Sequence, residues 1–425
     1  MSYLNKYLSK IPKRVRGNSK IFANQNLGME SKIENKLWNK NFLLTCLSSF
    51  FIFTNFYLLT ATMPIYVKND LKGSATEISL IISLYILGTV LLRPFSGRWA
   101  EKYGKKKVSI IFLILFIICN LAYFGTDVIV PLLIVRFING FGFAVSTTAT
   151  SAIAIDWIPK KRKGEGIGYF GLFMSLAMVI GPALGLYLAT TFDYKIVLIF
   201  ASIFAILSLI FSFFSSENPE IQTATIQIEE YKGISKYVEL NSIPFAFAGF
   251  LLAFGYSALI SYIALYCIDL GYPKLSMFLF IALALLIIIP RPIVGKIFDQ
   301  KGANYLVYPG TFFLILGLIG LAFSSSITLL LISAATIGFG YGAIFPAYQT
   351  LSISAAKPQR AGTASATFFL LYDIGIGGGS FVLGIIASKI GYSNMYLVSA
   401  IIIFCSVTFY YLINKRLKRK KQELV

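Results

Sequence analysis

The sequence predicts an all-α membrane protein: twelve transmembrane helices arranged as two parallel six-helix bundles. Three observations carry that prediction. Of 425 residues, 57% are hydrophobic and only 13% charged, about half the charged share of an ordinary soluble domain. Apolar stretches recur with the length of about 20 residues that a helix needs to cross roughly 30 Å of hydrocarbon. And a charged, glycine-broken phrase, RPFSGRWAEKYGKKK at 93–107, returns as RPIVGKIFDQKGANY at 291–305, an offset of 198 residues.

The apolar stretches fall at 41–66, 74–96, 108–125, 128–153, 166–190 and 195–215, then at 243–268, 274–294, 304–324, 327–350, 362–386 and 392–413. Their apolarity is continuous rather than alternating, which fits helices and not barrel strands. Around them lie a basic tail at 1–40, a first bundle at 41–215, a hydrophilic linker at 216–242, a second bundle at 243–413 and a basic tail at 414–425. Within the linker, 226–238 could form a short interfacial helix. Residues 1–40 are polar and basic, so no cleavable signal peptide is expected and the first span serves as the insertion signal. Translation could start at Met1 or at Met29.

The net charge of +20 belongs to topology. With both termini in the cytoplasm, about 30 of the 38 Lys and Arg lie on the cytoplasmic side, and only Lys68, Lys72, Lys195, Lys274 and Lys389 lie outside. That asymmetry is the positive-inside rule and implies a multi-pass protein of the plasma membrane. The tail NKRLKRKK then reads as an anchor on anionic lipid and not as a nucleic-acid binder. Trp38, Trp99 and Trp157 fall at cytoplasmic helix ends, as an interfacial belt would have them.

Cys46, Cys119, Cys267 and Cys405 sit in four different spans without CxxC spacing, so they read as packing residues, with no metal site and no disulfide implied. The chain has no histidine, which excludes imidazole zinc sites and histidine proton relays. No cofactor is expected. No nucleophile constellation or phosphate loop stands out, since GIGGGS lies inside a span rather than after a strand, and an enzyme is not expected.

The offset extends beyond the opening phrase. NGFGFA at 139–144 aligns with IGFGYG at 337–342, and Arg162 and Gly164 with Arg360 and Gly362. Six spans separate the copies, an even number, so both halves enter the membrane in the same orientation.

On these residues the chain resembles the major facilitator superfamily. Gly97, Arg98, Glu101, Lys102, Gly104, Lys105 and Lys106 are similar to the family's signature between its second and third helices. Two further motifs resemble the twelve-helix drug:proton antiporter branch: Arg136 with Asn139 and Gly140 in span four, and Gly171, Gly181, Pro182 and Gly185 in span five. The resemblance implies a secondary transporter working by alternating access as a monomer, with the lipid bilayer, a small-molecule substrate and protons as its partners. For Glu101 it implies a contact with the start of span eleven near Gly362; by symmetry Asp299 would meet span five near Gly164. A carboxylate docked on exposed amides at a helix N-terminus is a physically sound latch. Arg93 and Arg291 are expected to support it as charges at the membrane edge. The alternative is a solvated turn that only reports topology. Ala303 and Asn304 replace Lys105 and Lys106 in the second copy, so its latch should be the weaker.

Arg136 and Asp373 are the two ionisable residues expected well inside the spans. A charge there costs at least roughly 2.5–3.5 kcal/mol on an insertion scale, so each should face a cavity or a partner. Asp373, midway along span eleven, is the leading proton-coupling candidate; the alternative is a neutral or arginine-paired carboxyl fastening helices together. Arg136 would order polar groups around the cavity and respond to a proton on a nearby acid, or else snorkel outward. Many members of the branch carry an acid in the first span, where this chain has Asn55. Glu77, Asp156 and Glu165 lie near helix ends and are weaker candidates. Asn55, Asn139, Tyr256, Tyr341 and Gln349 are expected to line a substrate cavity. The glycines of spans five and eleven allow close packing, bending, or both.

The function expected is proton-coupled export of small amphipathic molecules or drugs. The alternatives are a dedicated exporter of a metabolite, metallophore, siderophore or sugar and, more remotely, a transport-inactive sensor.

Overall fold

A computed structural model describes residues 37–219, 231–272, 275–324 and 326–422. The predicted basic tail up to residue 36, linker residues 220–230, and Lys274 lie outside the described residues. Among those described there is no strand, and eleven helices are long and apolar enough to cross a membrane. They are α1 Lys40–Asn69, α2 Ala75–Tyr103, α3 Lys105–Ala122, α4 Ile129–Asp156, α5 Lys163–Thr191, α6 Tyr194–Phe214, α7 Ile243–Asp269, α8 Leu275–Lys301, α9 Asn304–Ala322, α10 Ile327–Ser354 and α11 Ala361–Gln422. Within α8 the helix is interrupted by a turn at 289–290, and α11 contains one non-helical residue, Gly391, at φ 83° and ψ 164°.

Several helices run past the ends predicted for them, two of them into the charged phrases. Span two was expected to stop at residue 96 and span eight at 294, yet α2 continues to Tyr103 and α8 to Lys301. Hydropathy falls where charges begin, but Trp, Ala, Glu and Lys all tolerate a helix, so backbone bonding continues into the charged phrase. It ends where Gly104 and Gly302 adopt φ of 92° and 86°, a conformation that side chains disfavour. Of the linker's possible helix at 226–238, the described part holds a single 3₁₀ turn, Gly233–Lys236.

The termini of the helices follow local chemistry. Asn39 accepts from the Phe42 amide at the start of α1, Ser74 and Glu77 form a reciprocal capping box on α2, and Ser326 accepts from Leu329 at α10. Glu77, a weaker acidic candidate, is thus a cap.

The largest apolar core draws on Phe245 to Tyr410, with Met174 and Met178 of α5 packed against it. Smaller cores join α1, α2, α4, α5 and α6. Within the first half α1 packs on α5 and α6, and α2 on α4; within the second, α7 packs on α11 and α9 on α10. Between the halves, α2 meets α11 and α5 meets the last part of α8. Large apolar side chains also cover the outside: Ile111, Ile114 and Ile118 on α3, and Ile199, Ile203, Ile206 and Ile210 on α6, are all exposed. A helix apolar all round is a helix in lipid.

Candidate functional site

The seam between the halves collects the functional candidates. At its basic end, Glu101 of α2 accepts the Thr363 amide of α11 at 2.7 Å. Asp299 of α8 accepts the amides of Gly164 and Glu165, on α5, at 2.7 and 2.9 Å. One helical turn before each carboxylate stands a glycine whose backbone touches the opposing helix. A Cβ on Gly97 would meet Thr363 Cα at 2.6 Å, and one on Gly295 would meet Glu165 Cα at 2.5 Å.

The rest of the charged phrase is divided among separate partners. Lys105 is buried and donates to Asp156 Oδ2 at 2.5 Å. Arg98 stacks on the Tyr237 ring with its guanidinium carbon 4.9 Å from the centroid, and Lys102 is exposed beside Tyr103. Gly104 makes the turn into α3. Arg162 pairs with Glu165 at 2.6 Å, and Arg360 with Glu239 at 2.7 Å. Asp156 and Glu165, weaker candidates by sequence, are therefore ion-pair partners at the basic end.

Arg93 and Arg291 correct an expectation. They were placed at the membrane edge, but they are only 2% and 3% exposed. The longer α2 puts Arg93 ten residues, about 15 Å, inside the helix end. Its Nε lies 3.0 Å from Asp373 Oδ2 on α11, an ion pair across the seam. Its Nη1 donates to Thr147 Oγ1 at 2.9 Å, to Thr148 Oγ1 at 3.3 Å and to the Ala144 carbonyl at 3.3 Å, all on α4. The rings of Phe143 and Phe369 flank the guanidinium at 5.7 and 5.1 Å. Asp373 is thus paired with an arginine, as the alternative reading allowed, and the arginine is Arg93.

Arg136 of α4 does not snorkel and does not meet an acid. It is 1% exposed, lies 4.2 Å over the Tyr85 ring and donates from Nη2 to Thr60 at 3.2 Å. It forms no ion pair among the described residues, and Asp373 is held by Arg93.

Of the five residues expected around one cavity, two are tied to neighbouring helices and two stack on one another. Asn55 donates to Asn120 Oδ1 at 2.8 Å and to the Ala201 carbonyl at 2.7 Å, tying α1 to α3 and α6. Asn139 reaches the Phe116 carbonyl of α3 at 3.4 Å. Both amides are fully buried, where a polar group takes the nearest partner it can find. Gln349 is 1% exposed. Tyr256 and Tyr341 do come together, stacked with centroids 3.8 Å apart, and the Tyr341 hydroxyl bonds that of Tyr372. Tyr57, Tyr85 and Tyr372, missed by sequence reasoning, lie among these charges. Tyr85 was legible as one of a stripe, Tyr85, Thr89 and Arg93, at helical spacing on α2.

The span-five motif packs α5 closely on its neighbours. A Cβ on Gly181 would stand 2.8 Å from Tyr57 Cβ, one on Gly185 3.0 Å from Thr62 Cγ2, and one on Gly171 would run into Arg291 Nη1. Pro182 sits inside α5, which continues unbroken.

Residues 45–380 match the family model described as the Major Facilitator Superfamily. An uncharacterised transporter of that type from Methanocaldococcus jannaschii is 25% identical over 85% of this chain and 95% of its own length. A homologue of the multi-drug resistance efflux pump PmrA from Lactococcus lactis is 24% identical over 90% of this chain and 97% of its own. The quinolone resistance protein NorA of Staphylococcus aureus is 26% identical over 54% of this chain and 58% of its own. Two solved structures share the fold at a TM-score of 0.72. The human organic anion transporter MFSD10 is 14% identical, with 87% of this chain and 98% of that one covered. The proton:xylose symporter XylE is 12% identical, with 88% and 94% covered.

Proposed function

Because the chain belongs to the major facilitator superfamily, and is therefore a membrane carrier and not an enzyme, we propose that it is a proton-coupled exporter of small amphipathic molecules. It works by alternating access between two six-helix bundles, 41–215 and 243–413. Twelve spans are counted by taking Gly391 as the turn between the eleventh and twelfth. The termini and the basic end face the cytoplasm of a plasma-membrane protein, and the unit that works is the monomer. The drug-efflux relatives at 24% and 26% identity support export.

One observation carries the proposal: the Arg93–Asp373 pair at 3.0 Å, joining α2 to α11 with Arg93 2% exposed. Breaking a buried pair by neutralising one member leaves an uncompensated charge. A proton delivered to Asp373 therefore removes the attraction that holds the halves together at mid-membrane. Thr147, Thr148 and the Ala144 carbonyl retain Arg93 on α4 while the halves part. Glu101 and Asp299, docked on opposing helix starts, close the cytoplasmic end in the same state in which the pair is intact.

Acidified inside-out vesicles test the reading. Adding a panel of dyes, biocides and chelators to wild-type vesicles should trigger proton release, and the release should vanish in Asp373→Asn. Release unchanged by that substitution would move the coupling away from Asp373.

A further inference from the structure

The internal repeat allows one half to be compared with the other. At the 198-residue offset Arg93 matches Arg291, Phe369 matches Gly171, and Asp373 matches Ser175. Arg93 lies against Phe369 and pairs with Asp373, one helical turn further along α11. Arg291 lies against Gly171 in the same way, and one turn further along α5 stands Ser175, itself buried. A serine carries no charge. The second arginine keeps its place and has lost its counterion.

Among the described residues no acid replaces that counterion. Arg291 is 3% exposed, its Nε and Nη1 have no hydrogen-bond partner, and among the described residues no acid forms an ion pair with it. The Tyr256 hydroxyl, which interacts electrostatically with Arg291, is also buried without a partner. A charged donor left unpaired away from water is unfavourable unless something fills the gap. Arg291 lies where α8 meets α5 at Gly171, and its charge interacts with Tyr57, Tyr256 and Tyr341.

We infer that Arg291 receives an anionic group of the transported molecule, a carboxylate standing where Asp373 stands on Arg93. The inference deepens the exporter reading and rests on it. It names the substrate class as amphipathic organic acids.

The test uses the purified full-length protein at low ionic strength with 1-naphthoate and its uncharged isostere 1-naphthamide. Naphthoate should raise the thermal midpoint saturably and naphthamide should not. In Arg291→Met the naphthoate response should disappear, or its apparent affinity fall by at least about tenfold. Ser175→Asp supplies the missing counterion. It should raise the midpoint without ligand and abolish the naphthoate response, while Ser175→Asn, of the same size, does neither. Equal responses to acid and amide, a naphthoate response that survives Ser175→Asp, or a lower midpoint in Ser175→Asp would overturn the inference. So would chloride alone producing the whole shift, which would make this an inorganic anion site. The vesicle experiment fails separately: naphthoate binding at Arg291 without proton release sinks proton coupling, whereas proton release without naphthoate binding sinks only the anion site.

Discussion

Glu101 and Asp299 stand 198 residues apart and make the same contact in opposite directions. Glu101 accepts the Thr363 amide at 2.7 Å, and Asp299 accepts those of Gly164 and Glu165 at 2.7 and 2.9 Å. The loss of lysines in the second copy made its latch the weaker expectation, yet Asp299 holds two backbone donors. Removing a charge from a helix N-terminus costs about 1 kcal/mol, roughly a fivefold change in the ratio of open to closed. With the native cysteines replaced, Ser365→Cys reports opening, because Ser365 is fully buried and contacts Ser151 across the seam at 3.0 Å. Both Glu101→Gln and Asp299→Asn should speed its labelling by a permeant maleimide, Asp299→Asn more. Equal or reversed effects would show that backbone bonds do not set latch strength.

The Arg93–Asp373 pair should behave as a unit. Replacing one partner of a buried pair by an apolar residue costs about 3–5 kcal/mol, whereas replacing both is far milder. Arg93→Met and Asp373→Leu should each lower the thermal midpoint by several degrees, and the double variant should lie well above the sum of their losses. Additive losses would mean that the two side chains are stabilised by separate neighbours.

The helices and the repeat were legible because both are written in composition and spacing. The depth of Arg93 was not, since hydropathy marks where lipid ends and not where a helix ends; α2 runs on to Gly104. An arginine partner for Asp373 was foreseen, but which arginine it would be was not. Asn55 and Asn139 looked like cavity residues because a polar side chain in an apolar span has two fates, a cavity or a neighbouring helix, and only coordinates separate them. The Lys105–Lys107 run was ambiguous for a related reason, as rotation about a helix decides which charge is buried.

That run yields a graded prediction. Lys105 is buried against Asp156, Lys106 lies 5.5 Å from the Phe213 ring, and Lys107 is exposed. Lys105→Met should lower the thermal midpoint markedly, since it strands Asp156. Lys107→Gln should change stability by no more than about 0.5 kcal/mol. Similar effects at the two positions would mean that the lysines act only as a topological signal.

The glycines ahead of the two carboxylates carry the sharpest steric prediction. Gly97 and Gly295 each precede the acid by four residues, one turn, so the backbone contact they allow is what brings Glu101 and Asp299 within reach of the opposing amides. A methyl group on Gly97 would sit 2.6 Å from Thr363 Cα and 2.8 Å from the Gly362 carbonyl. Those neighbours are backbone and cannot rotate away, so the helices must separate. Gly97→Ala and Gly295→Ala should therefore increase labelling of Ser365→Cys and impair transport without loss of folded protein. Gly125→Ala is the control, having no atom within 4 Å of the added methyl. If Gly97→Ala labels like the control, the seam at the basic end is looser than these contacts require, and Glu101 does not depend on Gly97 for its reach.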